Sequence, residues 1–537
     1  MPKKVSDLKI TFLGVTPVLK DETGCLKPQD IVSLSALMTF KGKSVKDLYS
    51  DLKEKGQDLD KKVKTIIRKS SLRGHASIAT TPAICFTYEA SKFIDSLMTG
   101  MIFSSSLMAS GRRTDTTVDD ILYPDAINKN NEAKSVYKKA SEENIDLLNE
   151  LLAEKVQKDD ASKILQYGIY GTGIIAYPIE SIIAFKKEIE SQGLDWMPEE
   201  AKLIVDQIEK ELKNYGIDLV YASRELAGRN VLPYPNPFKN PAKTNIAREL
   251  VKERGLPEEL TEVFGLDATV TPGLEKMARE ILKQEKELAK DKDLIKKNWR
   301  KLLPLRHELA RDFYTALTVK VLSSVSWRVW GDKKRHRTVP MTPDSMYYSI
   351  DRCRPVFEKF RKKIADQKMT EEDLIKIDRV FSIPPYIKVR PELLYKYLNC
   401  VQGSLDAYFE MIEKYGIRPS DAIYVMPRGV RIDLLQVYDL YNLIAGYYPL
   451  RTCSTAEAQL RPMALIEMAK IRKLLSENGL PNLAKLVVTK CQIPHFCLEE
   501  KNCSMIKSTV KDYSEEFHQE LKDQLDEEFE IRLKELN

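Results

Sequence analysis

A chain of 537 residues, 43% hydrophobic and 31% charged, has a globular composition and room for roughly two to four domains. Its formal net charge of +6 is too small to argue for nucleic acid by itself and suits an enzyme of small anionic ligands. Eight cysteines, mostly isolated, speak against a disulfide scaffold and fit a reducing cytosol.

No apolar signal core stands behind Met1-Pro2-Lys3-Lys4-Val5, so no secretory leader is expected. The most apolar stretch, Ile164 to Phe185, carries Gln166, Pro178, Glu180 and three glycines. A membrane span should be longer and uncharged. A soluble, cytoplasmic protein is expected.

In chain order, residues 8–16 read as a strand entering a core, and 44–70 as a helix with lysines outward. His75 to Pro82 breaks that helix, and Ala83 to Glu89, aromatic and β-branched, reads as a strand. The spacing predicts a helix over 93–108 and long amphipathic helices over 131–157 and 197–213. Four prolines in 229–243 mark a linker, and 245–300 reads as a charged helical insertion. The tail after 504 is a charged helix.

From 303 the early order recurs. Leu305-Arg306-His307-Glu308 stands where Arg73-Gly74-His75-Ala76 stood, followed by an aromatic, β-branched run, an apolar helix and a Ser/Arg segment. Residues 161–169 parallel 421–430, and each precedes a helix-like run. The shared order points to an internal repeat.

The richest segment is Lys333-Lys334-Arg335-His336-Arg337, which ends an apolar run and precedes Pro340, Pro343 and Ser345. Guanidinium forks match phosphate oxygens. The plain alternative is a solvated basic turn. Near the C-terminus, Cys491-x3-His495-x-Cys497-x5-Cys503 is a Cys3His set that fits structural zinc with no open position; buried unliganded cysteines are the alternative. No glycine-rich dinucleotide fingerprint follows a strand, so a Rossmann fold is unsupported.

These residues resemble the flavin-dependent thymidylate synthases, as two fused and diverged copies. That family carries Arg-His-Arg-x-x-Ser, a Ser-Gly-Arg-Tyr element, an upstream His-x-Ser and a downstream Leu-Arg…Ala-Gln-x-Glu-Ile-Arg. Arg335-His336-Arg337, Ser345, Leu450-Arg451 and Ala458-Gln459 match in the second half. His75-Ala76-Ser77 and Ser110-Gly111-Arg112 match in the first. The departures are Pro340 for the inner serine, Tyr347 for the Ser-Gly-Arg arginine, Arg461-Pro462-Met463 for Glu-Ile-Arg, and Gly100-Met101-Ile102 in place of the first Arg-His-Arg.

The resemblance implies an α+β fold: two related domains, each a mostly antiparallel sheet flanked by helices, with added long helices. It divides the chain into a first repeat (1–235), a linker and helical insertion (236–302), a second repeat (303–505) and a charged C-terminal helix (506–537). It implies reductive methylation of dUMP with methylenetetrahydrofolate, FAD as hydride carrier and NADPH as reductant. Arg335, His336, Arg337, His75 and His307 are then expected on FAD. Arg451, Arg112, Gln459 and Tyr347 are expected on the nucleotide, with Ser345 and Ser110 as catalytic serines. Each has a plain reading beside it: helix-end histidines, a helix stop at Ser110, a local ion pair for Arg451, packing for Tyr347. A homodimer giving a pseudo-tetramer is implied, without membrane or nucleic-acid partner. Methylation of another pyrimidine nucleotide or RNA base, or a non-catalytic scaffold, are the alternatives.

Overall fold

The computed structural model describes residues 3–21, 24–75, 77–101, 103–109, 115–227, 235–510 and 514–536. The chain forms two compact units drawn from interleaved stretches: Met1–Thr244, Ser326–Arg337 and Asp344–Ile432 in one, Asn245–Val325, Thr338–Pro343 and Asp433–Asn537 in the other. Among the described residues no helix is long and apolar enough to cross a membrane.

The first unit is built on strands β1 (Lys9–Thr16), β2 (Ala83–Ser91), β3 (Ser105–Met108) and β4 (Tyr170–Pro178), in the order β1-β2-β4-β3. All three pairings are antiparallel. Side chains alternate across a strand, and Ile84, Phe86 and Tyr88 of β2 accordingly point into the core with Ile175 and Tyr177 of β4. Gly173 lets β3 close on β4: a Cβ there would stand 2.8 Å from the Leu107 carbonyl oxygen.

The second unit carries β5 (Thr261–Ala268), β6 (Leu317–Ser326), β7 (Met341–Pro343) and β8 (Arg431–Asp439), in the order β5-β6-β8-β7. The β5–β6 and β7–β8 pairings are antiparallel. Its core joins Leu309, Val319, Val321, Tyr438, Tyr447, Ile471 and Leu483. Both sheets therefore follow one topology, first-second-fourth-third in chain order.

The hydrogen bonds repeat as well, all within the first unit. Helices α1 (Phe93–Met98) and α3 (Trp327–Lys333) follow β2 and β6, with the long helix α2 (Asn131–Ala153) between them in sequence. The Lys92 amide donates to Ile169 O at 2.9 Å, and the Trp327 amide donates to Val430 O at 2.8 Å. The Leu122 amide donates to Gly168 O at 3.0 Å, and the Ser382 amide donates to Gly429 O at 2.8 Å. Isolated antiparallel bridges match too, Ile121 with Ile169 and Phe381 with Val430. The two equivalent segments also meet each other: Gly168 N donates to Tyr424 O and Arg428 N to Leu165 O, each at 3.1 Å. Helix α4 is Met346–Ala365 and α5 is Pro391–Glu413; α5 packs on α2, where Asn144 Oδ1 accepts from Cys400 Sγ and Ser404 Oγ at 3.0 Å.

Three expectations change. The helix expected over 93–108 ends at Met98, and Ser105–Met108 is strand; the serine-rich Ser104-Ser105-Ser106 competes poorly for helix and pairs with β4 instead. The helix expected over 44–70 is two, Val45–Glu54 and Leu59–Lys69, parted at Gly56 (φ +56°) with Asp58 capping the second. The segment 245–300 is not wholly helical: Thr261–Ala268 is the edge strand of the second sheet. Its alternation puts Val263 and Leu266 against the core, a pattern hidden by the charged helices on either side.

Candidate functional site

The Arg335–Arg337 turn is set by the helix before it. Ser326 caps α3, its Oγ accepting from the Val329 amide at 3.3 Å. Trp327, Val329 and Trp330 are fully buried. The Trp327 ring meets Phe93 edge-on at 5.4 Å, and its Nε1 donates to Ser96 Oγ at 3.1 Å. The basic turn is thereby fastened to α1, in the same unit.

Its cations converge on first-half residues. Lys334 is buried and its Nζ donates to the Asp95 carbonyl oxygen. Arg335 is 43% exposed, with Nη2 3.5 Å from Asp95 Oδ1 and Nη1 3.6 Å from Asp332 Oδ1. Arg337 Nη2 donates to Ser106 Oγ of β3 at 3.4 Å, while its buried Nε has no hydrogen-bond partner. Burial works against the charged forms of Lys334 and Arg337, and the adjacent Arg335 adds to it. Lys92 is pushed down to about 8 by burial, then by Arg428. A partly buried cluster of like charges is relieved by an anion, and a guanidinium with a spare buried N–H is a ready donor to phosphate. The chemistry offered is anion binding.

The other expected residues separate. Ser345 is fully buried and caps α4, its Oγ accepting from the Tyr348 amide at 3.4 Å and donating to Lys239 O at 2.6 Å. Tyr347 is buried as well, with its hydroxyl on the Trp196 carbonyl and its ring 5.1 Å from Trp196. Both expectations are corrected by this: with their polar atoms used inside the fold, Ser345 acts as a helix cap and Tyr347 as packing, rather than as groups open to substrate. Ser110 and Arg112 lie outside the described residues. His75 is exposed just after Gly74. His336 is half-buried, its amide on Lys333 O at 3.1 Å.

Arg451, Gln459 and His307 belong to the second unit. Arg451 ends α6 (Tyr447–Arg451) and is half-buried. The Gln459 amide donates to buried Glu457 at 2.8 Å at the start of α7 (Leu460–Glu477). His307 is exposed on the helix Lys292–Asp312, its ring 6.0 Å from Tyr441, and with Tyr314 it lines an open cleft.

The zinc expectation is also corrected. Among the described residues no group of three or more His, Cys, Asp or Glu is set to hold a metal ion. Cys491, Cys497 and Cys503 border one cavity, but its fourth cysteine is Cys453. His495 instead feels Glu285 and Arg306, and burial lowers its pKa. Spacing along the chain suggested His495 because the loop that turns it away, with φ +61° at His495, leaves no mark on spacing.

The sequence reading missed Asp95, Ser106, Asp332 and Lys92. Asp95 was findable: it is a lone carboxylate in the apolar helix Phe-Ile-Asp-Ser-Leu-Met.

The chain is a mixed helix-and-sheet protein with a basic turn seated on a first-half strand. Residues 270–475 match the family model described as thymidylate synthase complementing protein, so the likeness to the flavin-dependent thymidylate synthases is shown over that segment, which holds Arg335–Arg337, Arg451 and Gln459. A curated flavin-dependent thymidylate synthase from Thermococcus onnurineus (strain NA1) is 27% identical over 133 residues, 24% of this chain and 54% of that protein. The chain thus spans about half the length of this relative. Crystal structures of the UMP/dUMP methylase PolB from Streptomyces cacaoi, with 5-Br dUMP or 5-Br UMP, align over 43% of this chain at 14% and 13% identity. They are covered to 99% and 100%, with TM-scores of 0.32 and 0.31.

Proposed function

We propose that the chain is a flavin-dependent thymidylate synthase built from two diverged copies, the first over 1–235 and the second taking in β5 (Thr261–Ala268) and running to 505, converting dUMP to dTMP with methylenetetrahydrofolate and NADPH. The observation that carries this reading is the seat of the second-half Arg335–Arg337 turn on Asp95 and Ser106 of the first half. In this reading Ser110 and Arg112, which follow β3 directly in sequence, complete the nucleotide site. The common strand order and the matched amide bonds support the duplication.

The cation cluster fits FAD, because Arg337 keeps a buried N–H without a partner and the phosphates of FAD are anionic. In this reading Arg335 and Arg337 hold the phosphates, and His336 stands at the same ligand. FAD supplies the hydride when bound. The chain's own work is to bind, orient and neutralise charge. Arg451 and Gln459 serve the nucleotide, and two chains form the assembly.

A second reading, methylation of another pyrimidine nucleotide, is favoured by Tyr347 standing where the family has arginine. Turnover of dUMP, methylenetetrahydrofolate and NADPH by the purified, FAD-supplied protein tests the first. A yellow protein inert on dUMP but active on another pyrimidine supports the second. Colourless protein that takes up no FAD overturns both.

A further inference from the structure

Four thiols of the second unit border one cavity: Cys453 from the α6–α7 turn, and Cys491, Cys497 and Cys503 from the segment beyond α7. All four are free. Burial first, then the charges of Cys497 and Cys503, raises the pKa of Cys491; burial, then Cys453 and later Cys503, raises that of Cys497. Cys491 and Cys497 also pack with Ile506 and Val510 in a small apolar cluster of their own. Small satellite clusters under long loops are among the first parts of a fold to open.

We propose that this cavity is a thiol-oxidation site, in which Cys453 joins Cys497 and Cys491 joins Cys503. The first crosslink joins the α6–α7 turn to Cys497, the buried thiol of the apolar cluster, and the second closes the loop between Cys491 and Cys503 around the same cavity. Four free thiols around one cavity offer sulfur–sulfur bonding. Each closure breaks two S–H bonds and forms one S–S bond. The two electrons and two protons pass to hydrogen peroxide, whose O–O bond breaks to give two waters, or to a low-molecular-weight disulfide, which leaves as two thiols. Oxidation then ties the 489–510 segment to the α6–α7 turn. Because the thiolate is the attacking form and the Cys491 and Cys497 pKa values are raised, the reaction quickens as pH rises past the usual thiol range.

The test uses the full-length protein, treated with hydrogen peroxide or glutathione disulfide at mildly alkaline pH, quenched with an alkylating agent and mapped as peptides. The expected result is two intramolecular crosslinks, Cys453–Cys497 and Cys491–Cys503, while Cys353 and Cys400 remain alkylatable. The thermal midpoint should rise on oxidation and return on reduction. In Cys453→Ser the Cys491–Cys503 crosslink should form alone. A Cys491–Cys497 crosslink in that variant, no intramolecular crosslink in the parent, or protein purified with stoichiometric zinc that shields these thiols would each overturn the proposal.

Discussion

Arg337 reaches Ser106: its Nη2 donates to the serine Oγ at 3.4 Å, across a sequence separation of 231 residues. The bond ties the basic turn of the second half to the edge strand of the first sheet. Arg337→Ala should therefore release flavin. Loss of a charged hydrogen bond costs about 1.5–3 kcal/mol, roughly ten- to hundredfold in affinity. Absorbance of bound flavin after gel filtration reads the effect; unchanged flavin content refutes the placement.

Gly173→Ala should act on the same site from a distance. The new Cβ would stand 2.5 Å from Met108 Sδ and 2.8 Å from Leu107 O. The sulfur can turn aside, but the carbonyl belongs to β3. Overpacking of this kind costs about 1–3 kcal/mol. The thermal midpoint should fall, and flavin retention should fall with it, because Ser106 sits on the displaced strand.

Tyr347→Phe separates packing from substrate binding. The hydroxyl donates to the half-buried Trp196 carbonyl, and its loss removes that donor. The expected loss is about 1 kcal/mol in urea unfolding, with nucleotide affinity unchanged. A large rise in the nucleotide Kd at unaltered stability would return Tyr347 to the substrate.

Lys92 gives a pH signature. Its folded pKa is depressed to about 8 by burial, against about 10.4 for an exposed lysine. Between those values the unfolded chain binds more protons, so stability rises with pH across that window. Below about 8 both states are charged, and the full burial penalty remains. Lys92→Met should stabilise the protein at neutral pH by on the order of 1–3 kcal/mol and flatten the rise at alkaline pH. Denaturant midpoints measured across pH check both.

Much of this molecule could be read before folding it. Strands around residues 9 and 83, the long helix over 131–153 and the C-terminal helix follow from periodicity. The Arg335–Arg337 turn announced itself by charge density. What the chain hid depended on partners distant in sequence. Ser105–Met108 is a strand because β4 offers it an edge, not because its residues favour extension. Ser345 looked catalytic because motif position was weighed without burial, and a fully buried hydroxyl between Tyr348 and Lys239 has other work. Cys453 was missed because it stands 38 residues before Cys491, its neighbour around the cavity.

The interleaving of the two units has a consequence for biogenesis. The first unit takes in Asp344–Ile432, so α5 is synthesised long after α2, the helix it packs against. Domains generally fold as they leave the ribosome, N-terminal first. Here α2 lacks its companion helix until α5 (Pro391–Glu413) has emerged. During that interval the face of α2 that α5 later covers stays exposed on the nascent chain.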